Sequence, residues 1–407
     1  MKPYLLLVLS LFAACGCNKL PEQEEEEPAK EFTPIVLTRA EQDINVSVND
    51  FGLKLFRSLY KKDQVFISPL SISLALSMTA YGARGTTEQE MIATLGFGTA
   101  TRDQVGEYYK KMVPALTGAD NRTVLEIANS IWVKNQISLK TDYCNGVKDY
   151  FSADVFSKDF SSSGFIAEIN KWCSDKTHGL INNAADNLNP SIVMALVNAL
   201  YFKGKWSVEF DQATDGKFMA LNASSVDAKM MSKTGTYSYA SAEGYGMVSI
   251  PYGNGAFVMD VILPDETGSD AFANAVSGLT WARYSALINS SHSAEVCLTM
   301  PVFKLEYYEE IQDYLAAMGM PTAFGGMADF SGITSDTGLC IDQVIHKTLI
   351  DVDEKGSEAA AVTIVGLRKA TSVGASQTVY FTADRPFIFA IRETSTNALL
   401  FIGQKVK

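Results

Sequence analysis

Three histidines (His178, His292, His346) and six cysteines are the side chains in this 407-residue chain best suited to nucleophilic, acid-base or metal chemistry. Their spacing organises none of it. Cys144, Cys173, Cys297 and Cys340 are far apart, with no CxxC pair to hold zinc or pass electrons. Buried free thiols are the expectation for these four, since spacing alone cannot show a disulfide. The sequence has no GxSxG elbow, no HExxH, no GxxxxGK[ST] and no GxGxxG after a strand. A Ser/His/Asp triad can be drawn around His346 on paper, but any chain rich in serine and aspartate permits that. Carboxylate pairs for glycoside hydrolysis depend on a spatial separation that sequence does not give. No enzyme activity, cofactor or metal site is expected, and a surface hydrolase is the weaker alternative. The formal net charge of -12 argues against a nucleic-acid partner, which needs a basic face to neutralise phosphates.

One segment stands out for a different reason. Residues 354 to 378 link a strand-like run, Thr348 to Val352, to the apolar Val379-Tyr380-Phe381, yet they carry no amphipathic helical face. Loops this long inside a compact domain are uncommon and usually functional. Taken as an extended strand, the segment places Ser357, Ala359, Ala361, Thr363, Val365 and Leu367 on one small, uncharged face. The other face carries Glu358, Ala360, Val362, Ile364, Gly366 and Arg368, with charge only at its ends. No proline interrupts residues 354 to 385, so every backbone donor there can join a sheet.

The elements that must position this segment read as helices first and strands later, an α+β pattern. Glu41 to Lys61 has apolar residues at helical spacing (Ile44, Val48, Phe51, Leu55, Leu59). Ser68-Pro69 offers a cap and a first-turn proline for a helix over Leu70 to Tyr81, ending near Gly82. Thr86 with Gln89 offers a second start of capping-box type. From Val193 onward strands dominate, around 195–202, 247–252, 257–264 and 296–301. Hydrophobic residues at 47% and charged residues at 20% fit a folded chain, and no linker or repeat divides it after about Ile35. The expected organisation is a leader over residues 1–17, an acidic tether over 18–36, and a single large domain over 37–407.

Behind Met1-Lys2-Pro3, residues 4 to 14 form an apolar run of signal-peptide length, too short for a mature membrane span. It ends in Phe12-Ala13-Ala14-Cys15-Gly16-Cys17, which resembles the lipobox of bacterial lipoproteins. That resemblance implies lipidation at Cys15 or Cys17 and membrane contact only through the lipid. The chain is expected to be exported and anchored to the outer membrane or cell surface, or otherwise secreted or periplasmic. The Glu24 to Glu27 run repels itself and reads as part of a solvated tether.

Gly356-Ser357-Glu358-Ala359-Ala360-Ala361-Val362-Thr363 resembles the hinge of an inhibitory serpin's reactive-centre loop. The motifs Phe66 to Ile72, Leu196 to Trp206, His346-Lys347, and Asp384-Arg385-Pro386-Phe387 with Leu400 to Gly403 are similar to the family's signatures and stand in the family's order. The resemblance implies helices packed on a large mixed central sheet, further sheets, and an exposed loop over 354–384. By the same resemblance Ser68, Ser71, Asn198 and His346 form a polar shutter under the central sheet. Trp206 marks the breach, where the loop enters. The family commonly carries a lysine after Met300-Pro301 that pairs with the hinge glutamate, here Glu354. This chain has Val302 there, with Lys304 two residues on.

The implied mechanism is that of a suicide substrate, in which cleavage of the loop is followed by insertion of residues 356–367 into the central sheet. A serine protease, or a cysteine protease as a further class, is then trapped as an acyl-enzyme. Family spacing puts the scissile residue at Ala370, before Thr371, with Lys369 and Arg368 immediately upstream. Ala370 suits elastase-like pockets, whereas Lys369 or Arg368 suits trypsin-like ones, and subtilisin-like targets are also open. The protein is expected to be a monomer. The alternative within the family is a non-inhibitory binding module.

Overall fold

The computed structural model describes residues 30–179, 192–336, 338–357 and 378–407. Among the described residues the strands form two sheets. The six-stranded sheet runs Phe303–Glu310, Gln343–Val352, Gly356–Ser357, Met194–Lys205, Thr123–Lys134, Asp154–Lys158. It is mixed: Gln343–Val352 lies parallel to Met194–Lys205, and most other neighbours are antiparallel. The nine-stranded sheet runs from Phe66–Ile67 through Leu399–Lys405, Phe387–Glu393, Phe257–Pro264, Tyr245–Tyr252, Ser225–Ala242 and His292–Pro301 to the edge strand Val379–Thr382. Thr214–Met219 pairs onto Ser225–Ala242 as a hairpin.

Helix Pro69–Gly82 ties the two sheets together. It is buried along nearly its whole length and touches both Met194–Lys205 and Leu399–Lys405. Apolar residues on every side suit a helix with no solvent face. Its start is local chemistry: the Ser68 hydroxyl accepts from the Ser71 N–H, and Pro69 occupies the first turn, where no donor is needed. Helix Arg39–Ser58 begins at a Thr38–Glu41 capping box, two residues before the expected start.

The expected box at Thr86–Gln89 does not form. Helix Gly85–Leu95 starts two residues earlier, with Arg84 as its N-cap in place of Thr86 and no side-chain cap. A long-range contact decides this, because Arg84 N donates to Asp329 O at 2.8 Å and the Thr87 hydroxyl accepts from Asp329 N at 2.9 Å. The split into helices first and strands later is also too simple. Strands Thr123–Lys134 and Asp154–Lys158 lie in the first half, and helices Ser269–Gly278 and Trp281–Ser290 in the second.

Residues 30–36, read as part of the solvated tether, lie against the body. Lys30 N donates to Asn121 Oδ1 and Ile35 N to Ser395 Oγ, both at 2.9 Å, and Phe32 and Ile35 pack on the core. The four described cysteines are free. Cys173 is buried, which pushes its thiol up to about 12, and the other three are half-buried.

Candidate functional site

The candidate site is a slot between the two central strands of the six-stranded sheet. At its lower end Gln343, Val344 and Ile345 pair directly with Ala195, Leu196 and Val197. At its upper end Gly356 and Ser357 lie between the strands: Ser357 faces Val352 on one side and Gly204 on the other, and Gly356 faces Lys205. The offset between the two long strands is the same at both levels. A further strand therefore needs only sideways separation, of about 4.8 Å, with no slip along the strands.

The upper end holds the hinge through its backbone. Trp206 Nε1 donates to Asp353 O at 2.8 Å, Trp206 N to Lys355 O at 2.9 Å, and Phe210 N to Glu354 O at 2.8 Å. The turn closes on itself, since the Asp353 carboxylate accepts from Lys355 N and Gly356 N. Trp206 is buried and stacks on Tyr252, with centroids 4.3 Å apart. The Ser357 side chain points into the core, its hydroxyl 2.7 Å from the Tyr252 hydroxyl. Burial raises the Tyr252 phenol far above its usual range, so it stays protonated. Gly356 is needed for close approach: a Cβ there would lie 2.1 Å from Gly204 O.

The lower end is a buried polar cluster. His346 Nε2 accepts from Ser68 N at 3.1 Å, so the ring proton sits on Nδ1. The Thr348 hydroxyl donates to Phe66 O at 2.5 Å. Ser68, Ser71, His346 and Thr348 are all buried. Burial pulls the His346 imidazole down to about 3, which keeps it neutral at ordinary pH. Its Nε2 is occupied by a backbone donor, so the triad drawn around it on paper has no geometric basis here.

The serpin family model, described as serine protease inhibitor, matches residues 46–407. The chain belongs to the serpin family. Iripin-3 of Ixodes ricinus is 32% identical over 91% of this chain and 96% of that protein. Intracellular coagulation inhibitor 2 of Tachypleus tridentatus is 34% identical, over 90% of this chain and 91% of its own length. Among solved structures, the thermophilic serpin tengpin in its native state matches with a TM-score of 0.81 at 30% identity, covering 93% of this chain and 97% of that one. Human thyroxine-binding globulin with bound ligand matches at 0.83 and 27% identity, covering 90% and 99%. The serpin fold and its α+β class are thereby established, and members of the family bind target proteases.

The structure brings the serpin-derived residues together in two groups. Ser68, Ser71 and His346 meet at the lower end of the slot, and Asn198 lies on the strand beside it, in register with Asn129. Trp206, Glu354, Gly356 and Ser357 meet at the upper end. The hinge glutamate has no lysine partner among the described contacts. The Glu354 carboxylate accepts from Ala213 N at 2.8 Å, while Lys304 pairs with Asp351 at 3.5 Å. Glu358, Ala359, Ala360, Ala361, Val362 and Thr363 lie outside the described residues, as do Arg368, Lys369, Ala370, Thr371, Cys15 and Cys17. Sequence reasoning missed Tyr252, Phe210, Asp353 and Thr348. Only Asp353 carried a local signal, an Asp placed to accept from the backbone two and three residues on.

Proposed function

We propose that this serpin inhibits serine proteases as a suicide substrate. The observation that carries the reading is the hinge already seated between two strands that keep one register above and below it. Continued along that register, Ala359, Ala361, Thr363, Val365 and Leu367 follow Ser357 on the core side, and Leu367 reaches Met194, where the strand begins. No charge has to enter the core. Burying Val365 and Leu367 contributes about 1.5–3 kcal/mol each.

In the proposed reaction the protease serine attacks the carbonyl carbon of Lys369 or Ala370. An ester to the protease forms as the peptide bond breaks, and the amine of the following residue leaves with a proton. The freed segment enters the slot and carries the acylated protease with it before water can cleave the ester. The protein itself turns nothing over. The Tachypleus relative, an inhibitor by name, supports this reading.

Ser357→Arg and Ala361→Arg each place a cation on the core face, and both are expected to convert the protein from inhibitor to substrate. The assay is SDS-stable complex formation with trypsin and with elastase; undiminished complex in both variants overturns the insertion mechanism. The neighbour with bound thyroxine gives a second reading, a ligand-binding module. That reading predicts a cleaved loop without covalent complex in the wild-type protein as well. The apolar leader and Cys15 or Cys17 support export with a lipid anchor, and among the described residues no helix is long and apolar enough to cross a membrane.

A further inference from the structure

The hinge enters the slot through a tight turn that one side chain closes from within. Val352 pairs with Ser357 across residues 353–356, and Asp353 N donates to Gly356 O at 2.9 Å. Inside that ring Asp353 Oδ1 accepts from Lys355 N at 2.8 Å and from Gly356 N at 3.1 Å. An aspartate bonded to its own backbone two and three residues on holds a turn to one length. The carbonyl of the same residue is gripped from outside, by Trp206 Nε1 at 2.8 Å. The length of a turn fixes the register of the strands it joins.

A second contact checks that register from the other side of the slot. Gly356 pairs with Lys205, and a Cβ at its place would stand 2.1 Å from Gly204 O. A slip of one residue in either direction brings Lys355 or Ser357 to that place, and neither fits. Because side chains alternate with period two, the same slip turns Ser357 away from Tyr252 and aims Glu358 at the core. A carboxylate entering there has to shed its water without a counter-charge.

We propose that Asp353 sets the phase of loop insertion: the turn it closes decides which face of residues 357–367 goes to the core. It is a positioning residue that acts through the hinge backbone, and the inference rests on the inhibitory reading. Neighbouring Glu354 does not share the task, since its carboxylate accepts from Ala213 N at 2.8 Å, outside the turn. Ladder hydrogen bonds do not settle the phase either, because they form equally well in both phases. Pairing that extends from this turn carries any error at Ser357 to every residue beyond it.

The test is the partition of attacked chain between SDS-stable complex and free cut chain, with trypsin and with elastase acting on the full protein. Asp353→Ala is expected to shift that partition about fivefold toward cut chain, the factor that one net hydrogen bond carries, with the rate of loop attack unchanged. Asp353→Asn keeps an oxygen acceptor and should lie nearer to wild type than Asp353→Ala does. Lys355→Gly supplies a second residue that fits beneath Gly204 O. Combined with Asp353→Ala, it should raise the cut fraction beyond the product of the two single effects. Equal partition in wild type and Asp353→Ala overturns the proposal, whatever happens to the thermal midpoint, and so does a double variant that only multiplies the single effects. Failure of the inhibitory reading looks different: both proteases cut the wild-type loop without SDS-stable complex. The turn is then read from the thermal midpoint of the cut chain, which insertion raises above that of the intact chain. A smaller rise in Asp353→Ala than in wild type supports the phase-setting role, and an equal rise, or none in either, overturns it.

Discussion

The two ends of the slot are built from opposite materials. The upper end is aromatic and backbone-rich: Trp206 and Tyr252 stack, and three successive hinge carbonyls accept hydrogen bonds. The lower end is a knot of small polar side chains around a neutral histidine. A seat of backbone bonds is indifferent to the side chains passing through, which suits an entry point. A polar cluster has one set of partners, here joining strand Gln343–Val352 to the start of helix Pro69–Gly82, and loses them when that strand moves off the helix, which suits a latch. The same sheet thus holds its hinge at one end and its closure at the other, and the two ends should respond differently to substitution and to pH.

The largest expected effect is at the seat. Trp206→Ala removes a buried ring, its stack on Tyr252 and the Nε1 bond to Asp353 O. Truncating a buried tryptophan costs about 3–5 kcal/mol. We expect a marked fall in the thermal midpoint at fixed scan rate, with faster proteolysis at residues 353–357 than elsewhere in the chain. A midpoint near that of wild type would mean that the seat contributes little and that the closed lower end alone holds the native sheet.

How much of this was legible in the sequence follows the range of the contacts. The Ser68–Pro69 start of the buried helix is a bond between residues three apart, and it appears as expected. The lower cluster was reached through family resemblance, since nothing local joins His346 to Ser68 across 278 positions. Tyr252 sits in a strand that alternation identifies, yet its partner Ser357 is 105 residues away, and no periodicity encodes that. Thr86–Gln89 shows the converse, a correct local signal overruled because Asp329 engages Arg84 and Thr87 from a distant loop. Period two is a property of the chain alone, and Ser357, the one member of the small hinge face among the described residues, does point inward.

The next effect belongs to the latch and is one of pH. His346 is held near 3 in the folded protein against 6.5 for the free side chain. The unfolded chain therefore binds the proton first as pH falls. Stability from the neutral ring is fully present above about 6.5 and is lost progressively down to about 3, at about 1.4 kcal/mol per pH unit. At pH 5 the loss is about 2 kcal/mol. His346→Gln keeps a side-chain acceptor without a group that titrates, so the stability difference between wild type and variant should shrink between pH 7 and pH 4. Urea unfolding across that range measures it. A constant difference would show that the acid sensitivity lies elsewhere, and the contrast between latch and seat would lose its pH arm.

The smallest expected effect sharpens the seat itself. Tyr252→Phe leaves the ring stacked on Trp206 and removes only the hydroxyl that meets Ser357 Oγ at 2.7 Å. The Ser357 hydroxyl then sits in the core without that partner, at a cost of about 1–3 kcal/mol if nothing replaces it. Removing both hydroxyls, with Ser357→Ala added, should recover most of the loss, because two apolar groups of matching shape leave no donor unsatisfied. If the double variant inhibits trypsin or elastase as well as wild type while Tyr252→Phe alone is weaker, the hydroxyl pair serves only to satisfy itself. If the double variant is weaker than either single one, the pair actively holds the first inserted residue, and the seat does more than admit the hinge.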